Sequence, residues 1–332
     1  MKRSIILLFL AVCTLLPLSA QVTLDEHSLK EWLNILCKPR TDTLYTRHSN
    51  RPFRIKIRTG TTLDLLSFNT NDAANEIKLV SEPIFKVGAH ISYRNIGIGF
   101  MRGIKSLFNS HKMQDTELLF SGYGRTVGGD IAYSAQQNYI LTRYNNFGSN
   151  NRVKGVSNSI IYGNGYYVFN NRRFSYPAAL TQSYLQRRSC GSIILGLSLY
   201  YNKLKTAATA LPPEIIENTP AQQRIEWLQR FCININIGYA YNKVFNKNIT
   251  LHASILPSLP IINDTKYCAD GKIKIEKFNP TLNFLLRAAL IWDKESLFTS
   301  LSGILYSNKL LNTPIGIRET YIRTQLSFGI RF

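Results

Sequence analysis

Acidic side chains are scarce in this chain of 332 residues, which carries 40 Lys and Arg against 20 Asp and Glu. In a soluble protein, a formal net charge of +20 would suggest a nucleic-acid partner. Histidine and cysteine are also scarce, with five of each, and no Cys-x-x-Cys pair occurs. The chain has no Gly-rich phosphate loop, no His-Glu-x-x-His and no Gly-x-Ser-x-Gly motif. The sequence therefore predicts no metal, no cofactor and no enzymatic activity.

Long apolar runs are missing as well, apart from one near the N-terminus. There, Lys2 and Arg3 precede an apolar stretch over residues 5–16, and Leu18, Ser19 and Ala20 offer a small-residue cleavage site, which is typical of a secretory signal peptide. No later run approaches the roughly 18 apolar residues that a membrane-spanning helix needs. We therefore expect residues 1–20 to be removed on export.

What the sequence has in abundance is alternation of apolar and polar residues with period two. The last thirteen residues end in Phe332 and place Phe328 and Ile330 on one face, with Arg323, Gln325 and Arg331 on the other. A wall between lipid and a wet lumen requires this pattern. It indicates the closing strand of an outer-membrane β-barrel, and Phe328, Ile330 and Phe332 are interpreted as the signal for insertion by the barrel assembly machinery. Alternation alone also fits a soluble sandwich, and the signal peptide and the aromatic terminus decide between the two.

Segments of this kind recur along the chain and predict one all-β domain, a closed antiparallel transmembrane barrel of about 14 strands, with 12 the next choice because closed bacterial barrels use even numbers. The predicted strands cover residues 53–58, 63–68, 84–93, 96–101, 117–125, 128–142, 158–169, 172–186, 189–202, 231–242, 247–261, 279–292, 296–306 and 317–332.

Counting back from a periplasmic C-terminus makes residues 203–230 and 262–278 outer loops, residues 143–157 a long inner connection, and Asn170 with Asn171 a tight outer turn. Short amphipathic helices are predicted in the periplasmic segment 21–50, behind Thr23 and Glu26 and around Trp32, and in an outer loop from Thr219 to about position 229. The barrel itself is predicted to occupy residues 51–332.

The inward face of this barrel is predicted to be basic. In a closed barrel the first and last strands are neighbours, so their cations can form one wall, and rings of Arg and Lys select for anions. A lumen packed with structural ion pairs is the competing explanation. The residues of this predicted basic wall are Arg54, Lys56, Arg58, Arg287, Arg323 and Arg331.

His90 and Ser92 share a face of the segment VGAHISYRNIG and are the one pair that resembles a catalytic site. A His and a Ser on a barrel strand could serve an outer-membrane lipid hydrolase. The segment lacks the Asn-Gly stretch of such enzymes, and no third orienting residue is evident. Inward-facing polar filler is the alternative interpretation.

The region NNRRFSYPAALTQSYLQRRSCGSIILG resembles a family from Bacteroidota known as domain of unknown function four-four-two-one. Phe169 and Asn170, the Arg-Phe-Ser-Tyr of residues 173–176, Gln186 and the Ser-x-Gly-Ser of residues 189–192 follow that family's pattern in order. Cys190 stands where the family usually has Ala, which affects no functional interpretation. The resemblance would extend from about residue 50 to the terminus and implies an outer-membrane barrel of a Gram-negative bacterium, with no activity or ligand attached.

Taken together, these observations favour an outer-membrane pore or channel for small solutes, anions among them. Expected partners are outer-membrane lipid, lipopolysaccharide, the barrel assembly machinery and a small anionic solute. The outer-membrane setting gives the basic residues phosphorylated partners, so we expect no nucleic acid. A non-conducting structural or surface-interaction barrel and the lipid hydrolase are the alternatives.

Overall fold

The fold was analysed in a computed structural model that describes residues 41–69, 77–104, 116–144, 147–206, 225–269, 271–277, 281–311 and 316–332. The predicted signal peptide and the predicted helix around Trp32 lie outside these residues. The strands, in chain order, are β1 (Thr46–His48), β2 (Phe53–Asn69), β3 (Ile77–Ser81), β4 (Ile84–Tyr93), β5 (Ile96–Gly103), β6 (Thr116–Tyr123), β7 (Val127–Tyr144), β8 (Phe147–Val168), β9 (Tyr184–Gln186), β10 (Cys190–Lys205), β11 (Ile225–Val244), β12 (Ile249–Ala269), β13 (Lys272–Lys277), β14 (Asn283–Lys294), β15 (Leu297–Leu311) and β16 (Gly316–Arg331). One short helix, α1 (Tyr176–Leu180), interrupts them within the described part of the chain.

Twelve of the described strands form a closed antiparallel ring in the order β11, β10, β8, β7, β6, β5, β4, β2, β16, β15, β14 and β12, and β12 pairs again with β11. The first and last strands of the barrel, β2 and β16, pair over their whole length, from Arg54 opposite Arg331 to Asn69 opposite Gly316. The predicted all-β closed antiparallel barrel is therefore confirmed.

Three further pieces of sheet complete the described fold. Strand β3 pairs with the outer parts of β2 and β7 and so connects them above the short strands β4, β5 and β6. Strand β13 pairs with the outer part of β12. Strands β1 and β9 form a separate two-stranded sheet. We call the end of the barrel that carries Phe53 and Phe332 the base, and the opposite end the outer end.

The ring has twelve strands, not fourteen, in the described residues because two predicted segments do not add strands. Residues 53–58 and 63–68 belong to one continuous strand, β2, since the Thr-Gly-Thr between them pairs with β16 like its neighbours. Residues 172–186 contain α1 rather than a barrel strand. Ser175 caps this helix by accepting a hydrogen bond from the Ala178 amide at 3.3 Å. Pro177, in its first turn, has no N–H to give to a strand ladder.

The observed strand bounds also correct the predicted pattern of loops. Strand β7 extends to Tyr144 and β8 begins at Phe147, so residues 143–144 and 147–157 form the outer ends of two long strands rather than an inner connection. The connection after β8 lies at the base, so Asn170 and Asn171 are not an outer turn. At the other end of the barrel, residues 225–229 belong to β11, which contradicts a helix there, and residues 207–224 lie outside the described part.

The described barrel wall is apolar outside and polar inside. Outward positions of the barrel strands carry exposed apolar side chains such as Ile57, Ile98, Leu301 and Phe328, whereas inward positions carry buried polar ones. A soluble barrel would bury the apolar face instead, so this distribution is that of a sheet surrounded by lipid. No helix in the described residues is long and apolar enough to cross a bilayer.

Candidate functional site

The lumen is where the described polar and charged side chains converge, and it is filled by contacts that cross it. Strands β8 and β16 lie six places apart in the ring of twelve, on opposite sides. Even so, Arg323 of β16 donates to the Tyr162 hydroxyl of β8 at 2.8 Å, and Asn158 of β8 donates to the Glu319 carboxylate of β16. These side chains meet in the middle of the barrel and so obstruct the lumen at their levels.

Three buried ion pairs join different parts of the wall. Arg287 donates through Nη2 to both carboxylate oxygens of Asp130 at 3.1 Å, and each side chain is only 3% exposed. Arg323 contacts Glu117 at 2.6 Å, and Arg331 donates to Asp293 Oδ1 at 2.6 Å. Each pair links strands that are not adjacent in the ring, and the Arg331 pair, which joins β16 to β14, lies at the base.

The Arg287–Asp130 pair has additional neutral partners. The Tyr123 hydroxyl donates to Asp130 Oδ2 at 2.7 Å, and Asn164 donates to Oδ1 at 2.9 Å. Asn164 in turn donates to the Tyr306 hydroxyl at 2.7 Å. A buried ion pair needs such bonds to satisfy its remaining lone pairs. These contacts form a polar bridge across the middle of the lumen, in which Arg287 Nε has no hydrogen-bond partner among the described residues.

Near the outer end, the lumen contains two carboxyl groups bound by neutral side chains. Asp64 accepts from the Tyr139 hydroxyl at 2.5 Å and from Asn158 Nδ2 at 2.6 Å. Glu319 accepts from Asn202 at 3.1 Å and from the same Asn158. The acidic groups and the unpaired cations described below thus occupy opposite ends of the barrel.

At the base, residues 169–189 connect β8 with β10, and the stretch 174–183 in their middle is largely buried inside the barrel; we call residues 169–189 the base segment. Phe174 and Tyr176 are fully buried, and the Tyr176 ring lies 4.7 Å from the ring of Tyr166 on β8 and 5.4 Å from that of His252 on β12. The Tyr176 hydroxyl lies 3.3 Å from Ser254 Oγ. The helix α1 therefore lies inside the lumen against β8 and β12, which are three places apart in the ring.

Barrel cations and amides hold the base segment by its backbone oxygens. Arg331 donates through Nε and Nη2 to the Gln182 carbonyl at 3.1 and 2.9 Å, and Asn242 donates to the Ser175 carbonyl at 2.9 Å. Arg125, in the turn before β7, donates to the carbonyls of Asn171 and Arg172 at 2.6 and 2.9 Å. Desolvation lowers the pKa of Arg125 from its ordinary value of 12.5, and the guanidinium remains a cation at neutral pH.

Gln182 is the most constrained residue of the base segment. Its backbone is left-handed, with φ at 55°, a conformation that is uncommon for residues other than glycine. This conformation presents its carbonyl to Arg331 while its side-chain oxygen accepts from Lys56 Nζ at 2.5 Å. One residue thus binds cations from both β2 and β16.

The six cations of the predicted basic wall all point inward, but they divide into two sets. Arg287, Arg323 and Arg331 are the members of the three ion pairs. Arg54, Lys56 and Arg58, which are 1%, 5% and 6% exposed, belong to no ion pair of the described residues. Their hydrogen-bond acceptors are neutral: the Arg94 carbonyl for Arg54, and the side-chain amide oxygens of Gln182 and Gln325 for Lys56 and Arg58.

The comparison with protein families bears on the whole barrel. The family model described as "Domain of unknown function (DUF4421)" matches residues 40–332. The chain belongs to the DUF4421 family. No curated protein matches this DUF4421 chain significantly.

Solved barrels are similar to the DUF4421 chain only at a distance. The outer membrane protease OmpT from Escherichia coli shares 7% identity, with 86% of this chain and 98% of that chain covered and a TM-score of 0.41. The translocator domain of the autotransporter NalP from Neisseria meningitidis shares 10%, with coverage of 95% and 100% and a TM-score of 0.40. The COG4313 outer membrane channel from Pseudomonas putida F1 shares 10%, with coverage of 85% and 96% and a TM-score of 0.35. Likenesses this distant carry no argument about what the DUF4421 chain does.

His90 and Ser92 lie on the inward face of the DUF4421 barrel, as predicted, but they do not form a catalytic arrangement. His90 Nε2 lies 3.4 Å from Ser121 Oγ, and Ser92 Oγ has no hydrogen-bond partner among the described residues. Both side chains are buried in the lumen, away from the lipid-facing surface. The geometry therefore favours their interpretation as inward polar residues beside the cations of β2.

The acidic partners of the paired arginines, and the acceptor Gln182, are not among the site residues predicted from the sequence. Glu117 and Asp130 lie in predicted strands at inward positions, so the alternation contained a signal for them, whereas Asp293 lies just after the predicted strand 279–292. Gln182 could not be found in this way because residues 172–186 were assigned to a barrel strand. Among the described residues, no three His, Cys, Asp or Glu side chains are grouped as metal ligands.

Proposed function

We propose that this DUF4421 chain is an outer-membrane β-barrel whose lumen is closed at rest, so that it acts as a non-conducting structural or surface-interaction barrel. The observation that carries this proposal is the set of contacts that bridge the described lumen at several levels, above all Arg287 with Asp130 and Arg323 with Tyr162. A twelve-stranded ring can enclose water only where side chains do not meet across it.

The membrane in this proposal is the outer membrane of a Gram-negative bacterium. The apolar exterior supports a lipid environment, and the alternation ending at Phe332 supports insertion by the barrel assembly machinery. Phe328, Ile330 and Phe332 are exposed on the outward face, where such a machinery could contact them. Lipopolysaccharide as a partner, export by a signal peptide and an origin in Bacteroidota are parts of the same proposal that rest on the sequence.

A channel for small anions is the second candidate, and the unpaired cations Arg54, Lys56 and Arg58 favour it. In such a channel the base segment would have to leave the lumen, because Tyr176 and Gln182 lie between the walls. The two candidates therefore differ in one property, which is conductance of the unmodified barrel.

Planar bilayers with purified, refolded protein test this proposal. The intact chain is expected to give no conductance steps at moderate voltage. The positive control is a variant in which residues 173–187 are replaced by Gly-Gly-Ser and Asn158, Asn164, Arg287, Glu319 and Arg323 are changed to Ala. It lacks the base segment and the polar contacts that these side chains make across the lumen, and it is expected to conduct. Regular steps from the intact chain would refute the closed barrel and favour the anion channel.

A further inference from the structure

The described barrel buries more positive than negative charge. Nine Lys and Arg side chains are buried, namely Arg54, Lys56, Arg58, Lys86, Arg125, Arg230, Arg287, Arg323 and Arg331. Five buried carboxyl groups oppose them, namely Asp64, Glu117, Asp130, Asp293 and Glu319, so four positive charges are in excess. Buried charge without a counter-charge is strongly unfavourable, and proteins relieve it by pairing, by binding an ion or by proton loss.

Three of the nine buried cations, Arg54, Lys56 and Arg58, lie toward the base on strand β2 and belong to no ion pair of the described residues. Three of the five carboxylates belong to the ion pairs of Arg287, Arg323 and Arg331. The other two lie near the outer end, and Asp64 is eight residues from Lys56 along β2, about 26 Å at 3.3 Å per residue. At that separation Asp64 does not neutralise the cations at the base of the strand.

Strand β4 adds polar groups beside these cations. In the register of β2 and β4, Arg54 is opposite Ser92 and Lys56 is opposite His90, and all four side chains point inward. Arg58 follows on the same face, and its charge, with those of Arg54 and Lys56, acts on the His90 ring. We call Arg54, Lys56, Arg58, His90 and Ser92 the basic cluster.

Four atoms of the basic cluster are buried and have no hydrogen-bond partner among the described residues: Arg54 Nε, Arg58 Nη1, His90 Nδ1 and Ser92 Oγ. The two guanidinium nitrogens can only donate, the serine hydroxyl can donate, and the imidazole nitrogen donates in one of its two tautomers. A group of unused donors among buried cations is complementary to an anion and not to a cation.

The space at the cluster is narrow. Strand β5 faces it with Gly97 and Gly99, and a Cβ atom at position 99 would lie 2.8 Å from Arg58 Nη1 and 2.8 Å from His90 Cδ2. At position 97 it would lie 2.5 Å from His90 Cε1. These two glycines therefore make room for the cluster's own side chains, and a bulky polyatomic ligand would not fit beside them.

From these observations we infer that the basic cluster binds a small monoatomic anion of the chloride class, held between β2 and β4 by Lys56, Arg58 and His90. The ion supplies a negative charge next to Arg54, Lys56 and Arg58, and an acceptor for the cluster's free donors. This site does not depend on whether the barrel conducts, because its side chains come from two neighbouring wall strands, β2 and β4.

Anion-dependent stability provides the first test. Refolded protein is compared in sodium chloride and in sodium gluconate of equal ionic strength, since gluconate is too large for the site. The apparent melting temperature of the wild type should be several degrees higher in chloride, and the effect should saturate with chloride concentration. Equal melting temperatures in the two salts would overturn the inference.

The Lys56→Met variant distinguishes a lysine that binds an anion from one that only stabilises the fold. Without Lys56 the cluster has less charge to neutralise. The variant should therefore lose most of the difference between chloride and gluconate and should match or exceed the stability of the wild type in gluconate. A variant that is less stable than the wild type by the same amount in both salts would contradict the proposed site. Arg318→Gln, which changes an exposed arginine at the outer end, is the matched control and should keep the full chloride effect.

Bromide provides the direct observation. Crystals soaked in bromide should show an anomalous peak between β2 and β4 beside Lys56 and His90. Ser92→Ala, a small change that keeps the fold, should lower the occupancy of this peak, while Arg318→Gln should not. A bromide-soaked crystal with no peak at the cluster would refute the inference and would leave proton loss from Lys56 as the way in which the charge is relieved.

Discussion

Asp130→Asn is the change that most sharply measures whether the lumen is dry. The substitution keeps the size of the side chain and removes its charge, which leaves Arg287 buried without its carboxylate. Removing one partner of a buried pair costs about 3–5 kcal/mol of stability, because the remaining charge stays out of water. Both side chains are 3% exposed, so solvent screening does not reduce this value. The expected loss corresponds to more than about a hundredfold change in the unfolding equilibrium.

The matched control is Glu295→Gln, which breaks the exposed pair of Arg47 and Glu295. Their closest atoms are 3.7 Å apart, and the side chains are 46% and 76% exposed. An exposed pair contributes about 0–1 kcal/mol, so this variant should differ little from the wild type. The double variant Asp130→Asn, Arg287→Met carries no buried charge at the bridge and should recover much of the stability that the single change loses.

Denaturant unfolding in lipid vesicles, followed by tryptophan fluorescence, gives the free energies for all four proteins. Heat-modifiable migration on gels shows beforehand that each variant has inserted and folded. If Asp130→Asn were no more destabilising than Glu295→Gln, the pair would be screened by water, and the reasoning for a closed lumen would be wrong.

Three further predictions follow from individual contacts. Gln182→Ala removes the acceptor of Lys56 Nζ, and faster proteolysis of the base segment in this variant is expected, whereas unchanged proteolysis would show that the contact does not hold the segment. His90→Ala and Ser92→Ala should each leave any phospholipid release by the refolded protein unchanged; loss of release in either variant would restore the lipid hydrolase. Burial lowers the pKa of His48 below its ordinary 6.5 in the folded protein. As the pH falls through 6.5, the unfolded chain therefore binds a proton at His48 before the folded chain does. The pairing of β1 with β9 should weaken over this pH range. Amide hydrogen exchange at pH 7.5 and 5.5 measures this, and a pH-independent rate would contradict it.

The wall of the barrel could be predicted because each strand carries its own evidence. In β16, the alternation of Ile322, Phe328 and Ile330 with Arg323 and Arg331 fixes both the strand and the face toward lipid, and the structure places each as expected. The predicted count is too high by two, because the continuous strand β2 is predicted as two segments and because a short apolar alternation cannot show whether a segment pairs with a neighbour or folds into the lumen. At residues 172–186, the cap at Ser175 and the proline at 177 were the local signals that should have outweighed the alternation.

The contents of the lumen could be predicted only in part. The alternation along each strand predicts that Arg54, Arg287 and Arg323 point into the lumen. Whether a cation contacts a carboxylate depends on which strands face each other across the ring. Asp130 and Arg287 are 157 positions apart in sequence, so no local pattern joins them. The division of the basic residues into paired and unpaired sets therefore required the closed topology.

The accessibility of Cys232 tests the closed lumen most directly. This thiol lies on the inward face of β11, is fully buried, and contacts Asn234 Oδ1 at 3.1 Å. In a variant that keeps Cys232 and replaces the other four cysteines by serine, a hydrophilic methanethiosulfonate reagent should leave the folded barrel unlabelled and should react fully after heat unfolding. Labelling of the folded protein at a rate close to that of the unfolded chain would mean that water and solutes reach the middle of the lumen, and the closed barrel would be refuted.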